Sequence, residues 1–543
     1  MKRKNEEEAV QSRRSFLKKS IVSSVAVAAA PVVSLASVGD RPSKEDIACA
    51  PKHSWQKPAP VIPDSSIRET IEADIAVVGA GIAGVATTHA AAESGAKVIL
   101  IEKMKTFSAR GYGNGAINTK EHKRLGITLD KEQIIGELVS WASNRVQQEL
   151  IRTWAEHSGE VMDYYIDLAR NNGLVVALDD KAFKFSPFYN EYQTTVTFRK
   201  PEDTGWFYEG RIVGLIEQEA IRHGADIRYN TSAQQLIKDP GTNRIIGVIA
   251  KQKGAYVKVL AKRGVVLTTG DYGSNPEMIE AWAPIMKKAD ANVYTPVGAN
   301  TGDGIKMALW AGASMQDTPH PPMFHVIPGI GCDLMCSNQT FLHVNRNGHR
   351  YENEAQPLQG VCNSRFLQPG NKAWAIFDSK YLEDHKKVEQ APFGPIVEPP
   401  EKLQESVAAK LAFRADTISE LAKELGIPPS NLEQTVKRYS ELTRKGADDD
   451  FAKPLRLMFT IEKAPFYALP IPVHQMVVVG GLNVDGESRV LDDNGNPIAG
   501  LYAVGNVAGN FFANDYPLTA PGLSHGRCLT LGRLMGQTLA KSS

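Results

Sequence analysis

A glycine-rich turn directly after an apolar run is the first feature of the sequence that can do chemistry. Residues 74–78 read DIAVV, residues 79–84 read GAGIAG, and an alanine-rich stretch follows to Glu93. Glycines in this spacing allow a tight turn, the approach of a pyrophosphate to the backbone, and close packing of a helix on a strand. The free N–H groups at the start of such a helix attract phosphate charge. The pattern predicts a dinucleotide site that includes Gly79, Gly81, Ala83 and Gly84.

An acidic residue stands at the distance that such a site requires. A second apolar run, residues 97–101, is followed by Glu102, which lies 18 positions after Gly84 (102 − 84). A carboxylate there can accept hydrogen bonds from a ribose hydroxyl, and Lys103 follows it as a further candidate contact. Strand, glycines, helix, strand and acid therefore occur in the expected order. The fingerprint does not by itself separate NAD from FAD.

The composition excludes several classes of protein. The chain has 543 residues, of which 42% are hydrophobic, and 62 Lys and Arg stand against 61 Asp and Glu. The formal net charge of +1 gives no electrostatic footprint for nucleic acid, and this balance excludes a disordered polyelectrolyte. Five cysteines are too few for a disulfide scaffold, no CxxCH haem motif occurs, and we expect no metal site.

The N-terminal segment predicts export. Residues 12–19 read SRRSFLKK, and a weakly apolar run rich in Ala, Val and Ser follows. Paired arginines before such a run are typical of a twin-arginine signal, and a basic amphipathic tail is the alternative. The run is too short to span a membrane, and Pro31 interrupts it. We expect a signal peptide over 1–38, a linker over 39–68, and a mature chain without a membrane span in the periplasm or at the outer face of the cell membrane.

Several further segments carry a family resemblance from about residue 70 to the C-terminus. They are VVLTTGDYGSN (265–275), TGDGI (301–305), the helical stretch 417–439, GGLNVD (480–485) and GLYAVGN (500–506). In type and order they resemble the flavoprotein superfamily of fumarate reductases and 3-ketosteroid dehydrogenases. The stretch FFANDYP (511–517) looks similar to secreted gut-bacterial reductases of this type. The resemblance implies bound FAD, without a covalent bond because residues 105–111 contain no His.

The same resemblance implies the fold and the remaining cofactor contacts. We expect an α/β protein whose Rossmann-like FAD-binding domain is discontinuous, over 69–318 and 476–543, with an α+β cap domain inserted over 319–475. The active site would lie between the two domains. A helix beginning near residue 522 would face the flavin pyrimidine, where negative charge develops on reduction. The further cofactor-binding residues implied are Gly270, Asp303, Gly480, Gly481, Asn506, Gly522 and Leu523.

The catalytic positions of the family are only partly kept. Fumarate reductases take a proton from an Arg ten residues after the Gly of a GxRF-type turn, but here the turn begins at Gly348 and the tenth position is Leu358. The acid of the C-terminal segment is replaced by Asn506. Ten residues on, where fumarate reductases place a second Arg that binds a substrate carboxylate, stands Tyr516, followed by Pro517 in the steroid dehydrogenase pattern. Two missing arginines argue against a dicarboxylate substrate, because unpaired carboxylates are costly in a cleft with little water. A tyrosine hydroxyl suits a neutral carbonyl oxygen.

The resemblance and these departures together predict an exported oxidoreductase that reduces a C=C bond conjugated to a carbonyl. The substrate would be a bulky or aromatic enone or enoate, not fumarate. Hydride would pass from flavin N5, and Tyr516 would stabilise the developing enolate. The acid that protonates the substrate carbon stays open between Tyr516, His325 and Arg350. Electrons would come from a separate membrane cytochrome or flavin carrier, which would make this chain a terminal reductase of anaerobic respiration.

Two rival functions stay open. A ketosteroid-type dehydrogenase would introduce the double bond, but Leu358 stands where that group places a second tyrosine. A non-catalytic flavin electron carrier would not need a cap over the flavin. The substrate, reaction direction, redox partner and oligomeric state are not predicted. Cys332, Cys336 and Cys362 can be thiols, a labile disulfide or cluster ligands, although no fourth cysteine at motif spacing accompanies them.

Overall fold

The computed structural model describes residues 52–186, 189–203, 209–293, 296, 298–326, 334–390 and 394–542. The predicted signal peptide and Cys332 lie outside the described residues. Lys57–Ser543 form one compact unit, to which the fold and the site belong, and only residues 52–56 of the other unit are described. Within the described ranges, no helix is long and apolar enough to cross a lipid bilayer.

The secondary structure alternates helices and strands along the chain. The strands are β1 (Ile67–Val78), β2 (Val98–Ile101), β3 (Asn114–Gly115), β4 (Val175–Leu178), β5 (Phe183–Ser186), β6 (Tyr189–Glu191), β7 (Thr195–Arg199), β8 (Asp226–Arg228), β9 (Thr231–Lys238), β10 (Ile245–Gln252), β11 (Ala255–Leu267), β12 (Ala291–Asn292), β13 (Pro322–His325), β14 (Leu342–Asn345), β15 (Ala373–Asp378), β16 (Phe413–Ala415), β17 (Phe466–Pro470), β18 (His474–Val478), β19 (Arg489–Leu491) and β20 (Pro497–Ala503). The α-helices are α1 (Ile82–Glu93), α2 (Lys120–Arg124), α3 (Lys131–Trp141), α4 (Gln148–Asn171), α5 (Gly210–Arg222), α6 (Pro276–Trp282), α7 (Asp303–Trp310), α8 (Leu358–Arg365), α9 (Tyr381–His385), α10 (Pro400–Ala408), α11 (Ile418–Leu425), α12 (Pro429–Lys445) and α13 (Leu523–Lys541). Short 3-10 helices are Ser54–Gln56, Asp64–Ser66, Pro284–Lys288, Leu334–Ser337, Pro369–Asn371 and Leu455–Leu457.

The largest sheet has the order β19-β20-β11-β1-β2-β8, and β10 and β9 continue from β11. Strands β20, β11, β1, β2 and β8 run parallel. Continuous apolar runs form the central strands because helices cover both faces of a parallel sheet, so that no side chain of β2 needs to be polar. The predicted α/β class and Rossmann-like βαβ unit are confirmed by β1, α1 and β2.

Helix α1 packs tightly under α13. Every residue of α1 before Glu93 is buried, and eight of these eleven residues are Ala, Gly, Ile or Val. Two glycines of α13 permit the close approach: a Cβ added at Gly536 would lie 2.3 Å from the carbonyl oxygen of Thr87. This contact fixes the middle of α1 against the C-terminal half of α13.

The cap is built on a separate antiparallel sheet of order β14-β15-β17-β16. Helices α11 and α12 cover it, and the apolar side chains of helices and sheet form one buried cluster that includes Leu342, Ile376, Leu421 and Leu432. A small sheet has the order β12-β18-β13. Strand β13 lies just after the expected start of the cap and β18 lies at its expected end, and the two strands pair antiparallel. The predicted cap segment, residues 319–475, thus begins and ends near two strands that pair with each other, and its separation as a domain stays a prediction.

Candidate functional site

A cavity of about 580 Å³ opens at the carboxyl ends of the parallel strands. Its wall includes Val78, Ile101, Thr268 and Val504, which end or directly follow β1, β2, β11 and β20. Open α/β sheets bind their ligands at this edge, and ligand sites have volumes of about 300–1,000 Å³. The cavity therefore has the position and size of a site for a large cofactor together with a small substrate.

The glycine turn between β1 and α1 shows which of its residues serve the fold and which face the cavity. Gly79 has φ +105, and a Cβ there would lie 2.7 Å from the carbonyl oxygen of Thr268. A Cβ at Gly84 would lie 1.9 Å from the carbonyl oxygen of Gly79. Gly81 lines the cavity. The atom nearest to a Cβ added at Gly81 would be the carbonyl oxygen of Thr268, at 3.8 Å. The turn thus leaves open space beside Gly81 for a group that approaches the backbone from the cavity.

Two charged clusters flank this turn. The Glu102 carboxylate accepts hydrogen bonds from the N–H of Ala80 (2.8 Å) and of Met104 (2.7 Å), which fix it at the cavity edge. The Lys103 ammonium donates to Thr301 Oγ1 (2.7 Å) and Asp303 Oδ2 (2.8 Å). Glu102 and Lys103 thus present the polar groups that a ribose and a pyrophosphate need.

The first turn of α13 reaches the same cavity. Gly522, the residue before the helix, has φ 78, and a Cβ there would lie 2.6 Å from the backbone nitrogen of Gly115. The N–H of Ser524 donates a hydrogen bond to Tyr516 Oη (3.0 Å). A helix N-terminus carries partial positive charge, which suits an electron-accepting ring that becomes negative. The N–H groups at the start of α13, the open space beside Gly81 and the Glu102 carboxylate together fit a flavin dinucleotide.

The predicted cofactor residues separate into two groups. Nine of them line the cavity: Gly79, Gly81, Ala83, Glu102, Lys103, Gly270, Asp303, Asn506 and Gly522. The other four, Gly84, Gly480, Gly481 and Leu523, do not contribute to its wall. The double glycine instead permits close packing, since a Cβ at Gly481 would lie 2.2 Å from the carbonyl oxygen of Val507.

Tyr516 lies in the cavity wall with an aromatic neighbour. It is 2% exposed, and its ring centroid lies 5.2 Å from that of Phe512. Burial raises the pKa of Tyr516 to about 12, although the Ser524 N–H and the nearby Arg527 act in the opposite direction. The phenol is therefore protonated at neutral pH. Because its oxygen accepts from Ser524, its own hydrogen is left to donate to a ligand.

The other two candidate acids lie in different places. His325, on β13, lines the cavity, and burial lowers its pKa to about 4, so the imidazole is neutral at pH 7. Arg350 does not contribute to the cavity wall. Its guanidinium donates to both carboxylate oxygens of Glu354 (2.8 Å each) and of Asp448 (3.0 and 2.9 Å). The structure thus brings Tyr516 and His325 together and places Arg350 in an ion-pair network of the cap.

Replacing Arg350 by Met is expected to destabilise the protein by about 3–5 kcal/mol, because two buried carboxylates lose their partner. The Lys453 ammonium, which lies 3.2 Å from Glu354, still compensates the charge of that carboxylate in the variant. We therefore expect a loss near the lower end of this range. Urea unfolding followed by tryptophan fluorescence measures the change. The matched control is Arg438→Met, which breaks an exposed pair with Asp450 in the same cap and should cost less than about 1 kcal/mol. Equal losses in the two variants would contradict this assignment.

Asp515, beside Tyr516, has a partly buried carboxyl that accepts hydrogen bonds from the Tyr516 N–H (2.9 Å) and from the Asn363 amide. Burial raises the pKa of Asp515 from 3.8 to about 7, against the smaller effect of those two donors. The folded state therefore binds this proton more tightly than the unfolded state does. Its contribution to stability is complete below pH 3.8 and is lost as the pH rises through about 7.

An Asp515→Asn variant should remove this pH dependence. Between pH 4 and pH 7 the wild type should lose up to about 4 kcal/mol relative to the variant, and the difference should level off above pH 7. Urea unfolding of both proteins at a series of pH values measures it, since all other titrating groups cancel in the difference. A difference that stays constant with pH would mean that Asp515 is already ionised in the folded protein.

Several cavity residues carry no signal that sequence patterns could have revealed. The cap contributes Ile396 and Glu398, from a segment without a motif. Arg110 and Glu209 also line the cavity. His525 does so as well, and its Nδ1 lies 2.9 Å from the Gly113 carbonyl oxygen. Only Ser524 and His525 could have been found, because they occupy the first turn of a helix that was predicted to face the cofactor.

The described cysteines are not joined to one another by a disulfide bond. Cys336, Cys362 and Cys528 are all buried. Burial raises the pKa of Cys362 well above its ordinary value, so it is protonated and unreactive at neutral pH. Of the alternatives predicted for the cap cysteines, a thiol is what the structure shows at Cys362, and the choice for Cys332 and Cys336 stays a prediction.

One group of ligand-type side chains lies outside the cavity, at the end of α1. His89, Glu93 and His223 offer atoms within 4.8 Å of one another. The Glu93 carboxylate already accepts hydrogen bonds from Tyr164 Oη (2.6 Å) and Arg533 (2.8 Å). The adjacent guanidinium opposes binding of a cation, and we assign no metal to this group.

The fold and the site together define a flavin-dependent oxidoreductase. The chain belongs to the FAD binding domain family, whose model matches residues 74–523. The predicted superfamily and the FAD cofactor are thereby confirmed.

Named relatives belong to the predicted groups. The chain is 26% identical over 500 residues to vinyl phenol reductase of Lactiplantibacillus plantarum, which covers 86% of this chain and 96% of that protein. It is 27% identical over 510 residues to fumarate reductase (cytochrome) of Shewanella frigidimarina, over 90% of this chain and 82% of that protein. A similar solved structure is 3-ketosteroid-Δ4-(5α)-dehydrogenase of Rhodococcus jostii with 4-androstene-3,17-dione, with 25% identity, a TM-score of 0.69, and coverage of 89% of this chain and 100% of that chain.

Proposed function

We propose that this protein reduces a C=C bond conjugated to a carbonyl group, in a bulky or aromatic enone or enoate. The observation that carries the proposal is the Tyr516 hydroxyl, which is held at the cavity wall by the Ser524 N–H (3.0 Å). The similarity to vinyl phenol reductase supports the aromatic ring and the C=C bond of such a substrate, but not its carbonyl group, which a vinyl phenol lacks. Similarity to fumarate reductases leaves a small diacid as the outcome to be excluded.

When bound, FAD supplies the two electrons, as a hydride from N5. Tyr516 donates its hydroxyl hydrogen to the carbonyl oxygen of the substrate, where negative charge develops. The partial positive charge at the start of α13 strengthens this donor through the Ser524 N–H. Because the phenol is fully buried, little water competes, and a preoriented donor in such surroundings stabilises the transition state more than the ground state.

The proton for the substrate carbon comes from a residue in the cavity wall. Tyr516 can supply it directly, since its hydroxyl remains protonated. His325 is neutral and can pass a proton on but cannot start as an imidazolium at neutral pH. Arg350 is not part of this step, because both of its hydrogen-bonding edges are occupied by Glu354 and Asp448.

The substrate side of the cavity suits an apolar ring. Met323, Ile396 and Leu518 line it together with Tyr516. Burial of such side chains favours a large apolar ligand by about 25 cal/mol per Å² of area removed from water. In the described part of the chain, the basic Lys and Arg residues of the wall are Lys103 and Arg110, which stand one and eight positions after Glu102 in the sequence.

Anaerobic stopped-flow with reduced flavin tests the function. The protein is reduced with dithionite and mixed with cinnamaldehyde, an aryl enone, an aryl enoate, fumarate or a saturated ketone. Return of the oxidised flavin spectrum with an aryl enone or enoate, at rates far above those with fumarate, is the expected result. Rapid turnover of fumarate, or of succinate in the reverse direction, would overturn the proposal.

The second candidate is a dehydrogenase that introduces the double bond. The observation that favours it is the likeness in structure and in Tyr516 to a ketosteroid dehydrogenase. Mixing oxidised protein with saturated 3-ketosteroids distinguishes the two, because bleaching of the flavin would indicate a dehydrogenase. A protein that reacts in neither experiment would be an electron carrier.

We also propose that the chain is exported by the twin-arginine route and receives electrons from a separate cytochrome or flavin carrier. The SRRSFLKK segment supports export, and the name of a cytochrome-linked relative supports such a donor. Replacing Arg13 and Arg14 together by Lys should leave the protein in the cytoplasm, which fractionation and immunoblotting would detect. Normal export of that variant would reject the twin-arginine route.

FAD is proposed to be held without a covalent bond. The loop after Glu102, residues 103–112, contains no His. Precipitation with trichloroacetic acid should therefore release all of the yellow flavin into the supernatant, as absorbance at 450 nm would show. Flavin that stayed in the pellet would reveal a covalent link. His525 would then be the first residue to replace, since it lines the cavity.

A further inference from the structure

A buried arginine stands behind the cavity wall without an acidic partner. Arg527 lies in the second turn of α13 and is 1% exposed. Its guanidinium donates to Asn506 Oδ1 (2.8 Å), and its Nε has no hydrogen-bond partner. The group lies over the rings of Phe512 (4.8 Å) and Phe511 (5.2 Å). Burial lowers the pKa of Arg527, yet an arginine stays charged in a protein.

The other buried arginines described in the structure are paired with carboxylates. Arg350 binds Glu354 and Asp448, Arg365 binds Asp290, and Arg533, on the same helix, binds Glu93. Within the described ranges, Arg527 forms no ion pair with a carboxylate, and its side-chain hydrogen bond goes to the Asn506 amide. An unpaired buried charge is strongly unfavourable. Negative charge on a group bound in the cavity would compensate the guanidinium of Arg527.

The hydrogen bond to Asn506 connects this charge to the cavity. A guanidinium can only donate, so it requires the carboxamide of Asn506 to turn its oxygen towards Arg527. The amide hydrogens of Asn506, which lines the cavity, are then free to face a ligand there. A second connection runs through Phe512, whose ring contacts both the guanidinium and Tyr516.

We propose that Arg527 is a positioning residue that orients Asn506 and supplies the positive charge that balances the negative charge placed in the cavity by two-electron reduction. The inference deepens the proposed function, because the same charge would favour a carbonyl oxygen that becomes negative beside Tyr516. It does not depend on which substrate is used, because the charge acts on the bound flavin itself.

The test is the midpoint potential of the bound flavin, measured without substrate by dye-coupled reductive titration. Arg527→Met keeps an apolar side chain of similar length and removes the charge. We expect at least a tenfold fall in the equilibrium constant for reduction, which is about 30 mV for a two-electron couple. Arg527→Lys retains the charge and should restore at least half of the shift.

Two further variants keep the test decisive if Arg527→Met fails to fold. Asn506→Asp places a carboxylate on Arg527, preserves its hydrogen bond and cancels its charge, so the potential should fall as in Arg527→Met. Arg533→Met is the matched control on the same helix, where the lost charge was already paired with Glu93. Its melting temperature should fall while its potential stays within the error of the wild type.

The outcomes separate this inference from the proposed function. Unchanged potentials in Arg527→Met and Asn506→Asp, or an equal shift in Arg533→Met, would overturn the role of Arg527. A shift only in the first two variants would support it, even in a protein that reduced no enone. Failure of the proposed function would show instead as no flavin reoxidation by any unsaturated carbonyl compound.

Discussion

Replacing Tyr516 by Phe is expected to lower the rate of flavin reoxidation by an aryl enone by at least about 10²-fold, with FAD content unchanged. The substitution removes only the hydroxyl, and the ring keeps its contact with Phe512 (5.2 Å). The loss should appear in kcat more than in KM, because the hydrogen bond strengthens as negative charge develops on the substrate oxygen. Single-turnover stopped-flow with reduced protein measures the chemical step directly.

The matched control for this prediction is Tyr439→Phe. Tyr439 is a buried tyrosine of the cap whose hydroxyl accepts a hydrogen bond from Lys453 (2.9 Å), and it does not line the cavity. That variant should lose stability and keep its rate of reoxidation. His325→Asn is the third arm, since a comparable loss there and not in Tyr516→Phe would transfer the proton donor to His325. Unchanged turnover in Tyr516→Phe would refute the role assigned to its hydroxyl.

Replacing Gly84 by Ala is expected to lower FAD occupancy by more than tenfold and to destabilise the apoprotein. The added Cβ would lie 1.9 Å from the carbonyl oxygen of Gly79, so β1 and α1 would have to separate. Overpacking of a core costs about 1–3 kcal/mol in ordinary cases, and here the obstacle is backbone that cannot rotate away. The ratio of absorbance at 450 nm to that at 280 nm measures occupancy, and thermal unfolding of the apoprotein measures stability.

Two other glycines separate the effects of fold and cofactor. Gly81→Ala meets nothing closer than 3.8 Å in the protein, so the apoprotein should unfold at the wild-type temperature while its affinity for FAD falls. Gly136→Ala, on an exposed position of α3 with no neighbour within 4 Å, should alter neither quantity adversely. Full FAD occupancy in Gly84→Ala, or loss of apoprotein stability in Gly81→Ala, would contradict these roles.

The dinucleotide half of the site was predictable because its parts are close together in the chain. The turn at 79–84 and Glu102 are joined through the Ala80 N–H, across 22 positions of a single βαβ unit. Within such a unit the backbone path is almost fixed by strand, turn and helix. The start of α13 at Leu523 was likewise predictable, from the sequence pattern of the helix and from Gly522 directly before it.

The catalytic candidates could be ranked only from the structure. The resemblance placed Arg350 near the substrate, but its guanidinium is bound by Asp448, which is 98 positions further along the chain. Cavity residues such as Ile396 and Glu398 come from a cap segment without a motif. No periodicity records which inserted loop reaches a cavity, because that depends on packing between a separate sheet and its helices.

The sequence by itself determined the FAD-binding class, because that class rests on short segments whose local geometry dictates their residues. Only the tertiary structure decided which charges are compensated. Arg350 and Arg527 are both buried arginines, yet one faces two carboxylates and the other faces an amide and two aromatic rings. Electrostatic energy depends on distance through space, and distance along the chain carries almost no information about it.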